Sequence, residues 1–163
     1  MRTLMLLRHA KSSHKDGRLS DHDRPLTKRG RRDASRMGSL LVDDDMLPDL
    51  IVSSTACRTR ETTERAVATS GYRGPVRFTE DLYLAGPKQH IKVIAAQPVG
   101  RMAVLIVGHN PGLEELLLAL TGSDEELPTG SLSRISLPIT RWRDLKLTTK
   151  GKLVQIWRPK ELK

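Results

Sequence analysis

One cysteine, Cys57, in 163 residues leaves no partner for an internal disulfide. The fold must therefore be held by its own core, and nothing in the thiol content points to an oxidising compartment. No stretch approaches the roughly 20 consecutive apolar residues of a membrane span. The N-terminal run Leu4-Met5-Leu6-Leu7 stops at Arg8, too soon for the apolar region of a secretory signal. A cytoplasmic protein with no membrane partner is expected. Aromatics are also scarce. Tyr72, Phe78, Tyr83, Trp142 and Trp157 are widely separated and give no stacking surface of the kind single-strand binders use. No nucleic-acid partner is expected. The histidines lack paired ligand spacing, so neither a metal site nor a cofactor is expected. Repeats, low-complexity tracts and long linkers are missing as well.

Positive charge is abundant. There are 28 Lys and Arg against 19 Asp and Glu, a formal charge of +9, which draws acidic partners such as phosphorylated molecules. The basic residues are spread along the chain, and the cluster Lys28-Arg29-Gly30-Arg31-Arg32 reads as a solvated helix face. A chain of this length buries roughly 70% of its unfolded surface and suits one domain over residues 1–163.

Strand-like and helix-like segments alternate. Residues 2–7 form an apolar strand. A polar loop runs from Lys11 to Arg24, and Thr27 caps a helix with Ala34, Met37, Leu40 and Leu41 on one face. Leu50-Ile51-Val52 is a short buried strand ending at Ser53-Ser54. A helix from about Thr55 to Ser70 stops at Gly71, and Val76 to Phe78 is a third strand. Pro87 opens a helix carrying Ile91, Val93 and Ile94. A fourth strand spans 103–107, and a helix from about Pro111 carries Leu113, Leu116, Leu117 and Leu120. The runs 132–137 and 152–157 form an edge strand or hairpin. Repeated strand–helix units predict an α/β fold, a three-layer α/β/α sandwich on a mostly parallel central sheet.

Two strands of this pattern each deliver a histidine to the edge where open α/β sheets bind ligands. The first ends in Arg8-His9 and the fourth in Gly108-His109-Asn110-Pro111. A helix begins after Ser54 at the same edge, offering unpaired N–H groups suited to a phosphate. Arg58, about one turn into it, adds a bidentate pair of donors. One imidazole ending a strand is unremarkable, but two beside Arg8 and Arg58 make a candidate phosphoryl-transfer site. Lys11 and Asn110 flank it as candidate substrate-binding residues.

Other signals lead elsewhere or nowhere. A cysteine-phosphatase loop needs Arg six positions after Cys57, and position 63 is Thr. Leu40 to Asp45 reads as a helix end rather than a strand bearing nucleophilic aspartates. Lys150-Gly151-Lys152 lacks the upstream glycine of a nucleotide-binding loop. His14, His22 and His90 read as ordinary loop or surface residues.

Leu7-Arg8-His9-Ala10-Lys11-Ser12 resembles the signature of the histidine phosphatase superfamily, in its SixA-like phosphohistidine phosphatase branch. Further matches follow in that family's order: Asp23 to Thr27 with Gly30, Ser54 to Arg58 with Thr62, and Val107 to Pro111. The resemblance covers about residues 2–120. It implies a phosphoglycerate-mutase-like fold and metal-independent catalysis in which His9 attacks phosphorus and becomes phosphohistidine. Arg8 and Arg58 would hold the phosphoryl oxygens, and His109 would add a donor.

Many members that cleave phosphate esters place a carboxylic acid after the third strand to protonate the leaving alkoxide. Glu80 and Asp81 are the nearest candidates here, and neither aligns well; a protonated His109 is the alternative acid. That gap favours phosphohistidine on a protein as the substrate. A small phosphorylated metabolite cleaved as a phosphomonoester, or non-enzymatic binding of a phosphoprotein, are the other readings. A mutase is disfavoured because the connections look too short for the lid it would need.

Overall fold

The structure, a computed structural model, describes residues 1–162. It is an α/β/α sandwich on a six-stranded sheet of order β3-β2-β4-β1-β5-β6. The strands are β1 (Arg2–Arg8), β2 (Leu50–Ser54), β3 (Val76–Thr79), β4 (Ala103–Gly108), β5 (Leu132–Leu137) and β6 (Lys152–Trp157). The helices are α1 (Lys28–Asp43), α2 (Cys57–Ser70), α3 (Pro87–Ala95) and α4 (Gly112–Thr121). The first four strands pair in parallel. β5 runs antiparallel between β1 and β6. Of the two C-terminal runs, only β6 is an edge, and together they form an antiparallel pair.

Local chemistry accounts for the boundaries. The Thr27 hydroxyl accepts the Gly30 N–H at 3.0 Å and caps α1 as expected. Gly71, at φ 72°, ends α2 in the left-handed conformation that an L side chain adopts only with strain. α2 starts at Cys57, so Arg58 stands in its first turn rather than one turn in.

Period-two alternation along β1 sends side chains into two cores. Leu4 and Leu6 pack with Leu113, Leu116, Leu117 and Leu120 of α4 and Ile94 of α3. Met5 and Leu7 pack with Met37 and Leu41 of α1. Each such leucine, fully buried, contributes about 1.5–3 kcal/mol relative to exposure. The chain leaving β1 thus crosses one face through α1, while the chain leaving its neighbour β4 crosses the other through α4. Strands that diverge in this way open a crevice at their C-terminal ends. His9 and His109 follow directly from those two ends.

Candidate active site

Register decides which side chains meet. Arg8 is opposite Gly108 in the β1–β4 ladder, and the His9 N–H donates to the Gly108 carbonyl at 3.1 Å. The next residue on each strand is a histidine, and the two rings stand 5.4 Å apart. β2 flanks β4 on its other side and brings Ser54 Oγ to 2.8 Å from His109 Nε2. A pocket of about 410 Å³ lies here, lined by residues that include Arg8, His9, Arg58, His109, Lys11 and Asn110. All six side chains singled out from the sequence therefore reach one cavity.

His9 is 6% exposed and its Nδ1 lies 2.7 Å from the Ala10 carbonyl. A carbonyl only accepts, so Nδ1 carries the proton and Nε2 carries the lone pair. Burial pushes the imidazole down to about 4, and the Arg58, Arg8 and Arg24 charges act in the same direction against the Ala10 bond. The ring is neutral at pH 7 and nucleophilic at Nε2. Thr62 Oγ1 holds the following turn by accepting the Ala10 N–H at 3.0 Å, and donates to the Arg58 carbonyl at 2.7 Å. This tie links the His9 turn to the helix that carries Arg58.

His109, 2% exposed, is pushed down to about 3 by burial, with the His9 and Arg58 charges adding to it. It is neutral in this pocket at pH 7. The Ser54 hydroxyl also accepts the Ala56 N–H at 3.3 Å. If Ser54 gives its proton to His109 Nε2, then Nδ1 carries the hydrogen and is the donor. That Nδ1 is buried with no partner among the described residues, as are the Nε atoms of Arg8 and Arg58. Unpaired buried donors are costly unless something accepts from them. All three belong to residues that line the pocket.

Arg58, 3% exposed, donates to the Asp21 carbonyl at 2.7 Å and to its carboxylate at 3.0 Å. Tyr83 Oη donates to the same carboxylate, and Arg24 pairs with it at 3.0 Å. The Tyr83 bond, with Arg58 and Arg24 beside it, holds the Asp21 carboxyl far below the ordinary carboxylate range. Tyr83 also sets its ring edge-on to His109 at 5.4 Å. Asp21, Arg24, Ser54 and Tyr83 had no role assigned from sequence. Arg24 and Ser54 lie within motifs that were recognised, whereas Asp21 and Tyr83 meet only through tertiary structure.

Glu80 and Asp81 lie exposed in a short 3-10 turn and do not line the pocket. Asn110 does line it, but its Nδ2 donates to the Leu127 carbonyl and its Oδ1 accepts the Glu114 N–H. It braces the start of α4. His90 is not a surface residue. It is fully buried in α3, its Nδ1 is 2.8 Å from the Gly86 carbonyl, and burial lowers its basicity. Burial and hydrogen bonding to Glu61 push the Cys57 thiol up to about 11, leaving it protonated and a poor nucleophile. No group of three or more His, Cys, Asp or Glu among the described residues is arranged to hold a metal ion, and no described helix is long and apolar enough to cross a membrane.

A neutral, tautomer-fixed imidazole among arginines, at the diverging point of a parallel sheet, defines an α/β protein equipped to handle phosphoryl groups. Comparisons with known proteins narrow that class. The profile of the histidine phosphatase superfamily (branch 1) matches residues 4–83. A candidate phosphohistidine phosphatase SixA from Nakamurella multipartitia is 31% identical, with 97% of this chain and 96% of that one covered at a TM-score of 0.84. Its counterpart from Agrobacterium tumefaciens is 29% identical, with 97% and 98% covered at 0.83. An uncharacterised protein of Mycobacterium leprae is 38% identical over 154 residues, which is 86% of this chain and 92% of that one. The chain belongs to the histidine phosphatase superfamily and is SixA-like, with the phosphoglycerate-mutase-like fold and phosphatase class of that group.

Proposed function

We propose that this chain is a cytoplasmic phosphatase that removes phosphate from phosphohistidine on a protein through a phosphohistidine intermediate at His9. The observation that carries the mechanism is the Nδ1 bond of His9 to the Ala10 carbonyl, which leaves Nε2 unprotonated without a separate base. Nε2 attacks phosphorus and forms a P–N bond as the substrate's P–N bond breaks. The substrate ring, protonated on its other nitrogen, leaves as neutral imidazole. Water then attacks phosphorus, the P–Nε2 bond breaks, and phosphate departs with the proton lost by the water. Arg8 and Arg58 stabilise the phosphoryl oxygens, His109 adds a donor through Nδ1, and Lys11 with Asn110 contacts the substrate. Phosphoryl transfer depends mainly on such positioning and charge.

The N–P substrate is favoured over an ester by the shortage of acids. The carboxyl group lining the pocket is that of Asp21, held ionised by Tyr83, Arg58 and Arg24, and His109 is neutral. An alkoxide leaving group needs a proton from one of them, whereas imidazole does not. The test is phosphate release from a phosphohistidine-bearing protein and from a phosphate ester, comparing this chain with His9→Ala. Turnover of the first substrate, lost on substitution, is expected. Selective cleavage of the ester, or equal activity of His9→Ala, overturns the reading.

A further inference from the structure

A second cavity, of about 340 Å³, adjoins the active-site pocket and shares Lys11 and Thr129 with it. Its other basic residues are Arg29 of α1 and, just beyond β6, Arg158 and Lys160. Arg158 is committed, to Glu125 at 3.1 Å and to Glu161 at 3.6 Å. Lys11 and Lys160 have no ion pair among the described residues, and the nearest acid to Arg29 is Asp33 at 3.8 Å. Four basic residues therefore line this cavity against one acid, Glu161, which pairs with Arg158.

The turn after Thr129, a residue the two cavities share, is tied to the chain at the nucleophile. The Gly130 N–H donates to the His9 carbonyl at 2.9 Å and to the Arg8 carbonyl at 3.2 Å. Gly130 has φ 80°, and a Cβ there would lie 3.0 Å from Pro159 Cγ, so the turn and the C-terminal segment meet closely. Arg36 holds that segment by donating to the Pro159 carbonyl at 3.4 Å and the Leu162 carbonyl at 2.9 Å. Pro128 and Pro159 add apolar surface to the cavity. A bare second phosphate has no use for that surface, but the stem and backbone of a peptide residue do.

We propose that this cavity is a subsite for an acidic side chain near the phosphohistidine of a protein substrate, received by Lys11, Arg29 and Lys160 while the phosphoryl group sits against His9. The proposal rests on the phosphohistidine phosphatase reading and adds a basis for choosing among phosphoproteins.

The test uses two phosphohistidine peptides that differ only in carrying Asp and Glu, or Ala, around the phosphohistidine. The double variant Arg29→Glu/Lys160→Glu alters two exposed side chains outside the active-site pocket. The parent should show a KM about three- to tenfold lower for the acidic peptide, with similar kcat, and the preference should shrink as salt is raised. The double variant should lose or invert the preference while keeping its constants for the Ala peptide within about twofold. Calorimetric binding of the same peptides to His9→Ala, with and without the two reversals, reads the subsite without turnover. If the peptides bind with the expected charge dependence but the parent does not cleave them, the phosphatase reading fails and the subsite stands. Equal affinity for the two peptides, a preference that survives charge reversal, or charge-dependent selection of a small bisphosphate but not of the acidic peptide overturns the proposal.

Discussion

Keeping His9 neutral has a cost that can be measured away from catalysis. Its imidazole moves from an ordinary 6.5 to about 4 on folding, chiefly through burial. With the native value depressed, the unfolded chain binds more protons between those two pH values. Stability from this group is therefore full above about pH 6.5, falls as pH drops towards 4, and levels off below it. At about 1.4 kcal/mol per pK unit the whole effect is about 3 kcal/mol, and about 2 kcal/mol of it is felt at pH 5. His9→Asn removes the titration while keeping a donor for the Ala10 carbonyl. Packing losses in the variant are the same at both pH values, so they cancel when each protein is compared with itself. Urea unfolding at pH 8 and pH 5, at one ionic strength and without phosphate or sulfate, should show the variant losing about 2 kcal/mol less than the parent on acidification. Removing the His9 charge from beside His109 works in the same direction. Equal losses in the two proteins would refute the claim that the fold holds this imidazole neutral.

Ser54→Ala should separate positioning from binding. It strips a fully buried hydroxyl from His109 Nε2 and the Ala56 N–H, costing about 1–3 kcal/mol in urea unfolding. It should also lower kcat about tenfold with KM little changed, and Ser54→Thr, which keeps the hydroxyl, should recover much of the rate. Gly30→Ala sets two effects against each other. Alanine favours a helix interior by about 1 kcal/mol, but its Cβ would sit 2.1 Å from the Lys11 carbonyl oxygen. The clash with backbone should win, lowering stability by about 1–3 kcal/mol in thermal unfolding, and a gain in stability would contradict the packing described.

Much of this architecture is local, and local chemistry is legible in a sequence. Alternation in Leu4 to Leu7, the Thr27 cap and the Gly71 stop each act within a few residues, and each has its structural counterpart. His9, His109 and Arg58 were legible because each follows directly from a strand or helix boundary, so a correct strand order brings them together. Asp21 escaped because its partners lie 37 and 62 residues away, at Arg58 and Tyr83. Nothing in the polar run from Lys11 to Arg24 marks one aspartate as the partner of a buried arginine. Asn110 was placed at the pocket, but its bracing of Leu127 and Glu114 depends on a loop contact that spacing does not encode. His90 failed for another reason. On one turn of a short helix a buried histidine and an exposed one look alike, and only the glycines packed against it distinguish them. A Cβ at Gly112 would lie 3.0 Å from His90 Cε1, and one at Gly108 would lie 3.7 Å from its Nε2.

The most direct test of the account is to trap the intermediate. The protein is mixed with a phosphohistidine-bearing protein, quenched in alkali within the first turnover, and mapped by mass spectrometry under non-acidic conditions. An acid-labile, alkali-stable phosphoryl group on His9, absent from His9→Ala, is expected. Phosphate released at an undiminished rate by His9→Ala, or a phosphoryl group found on any residue other than His9, would contradict it.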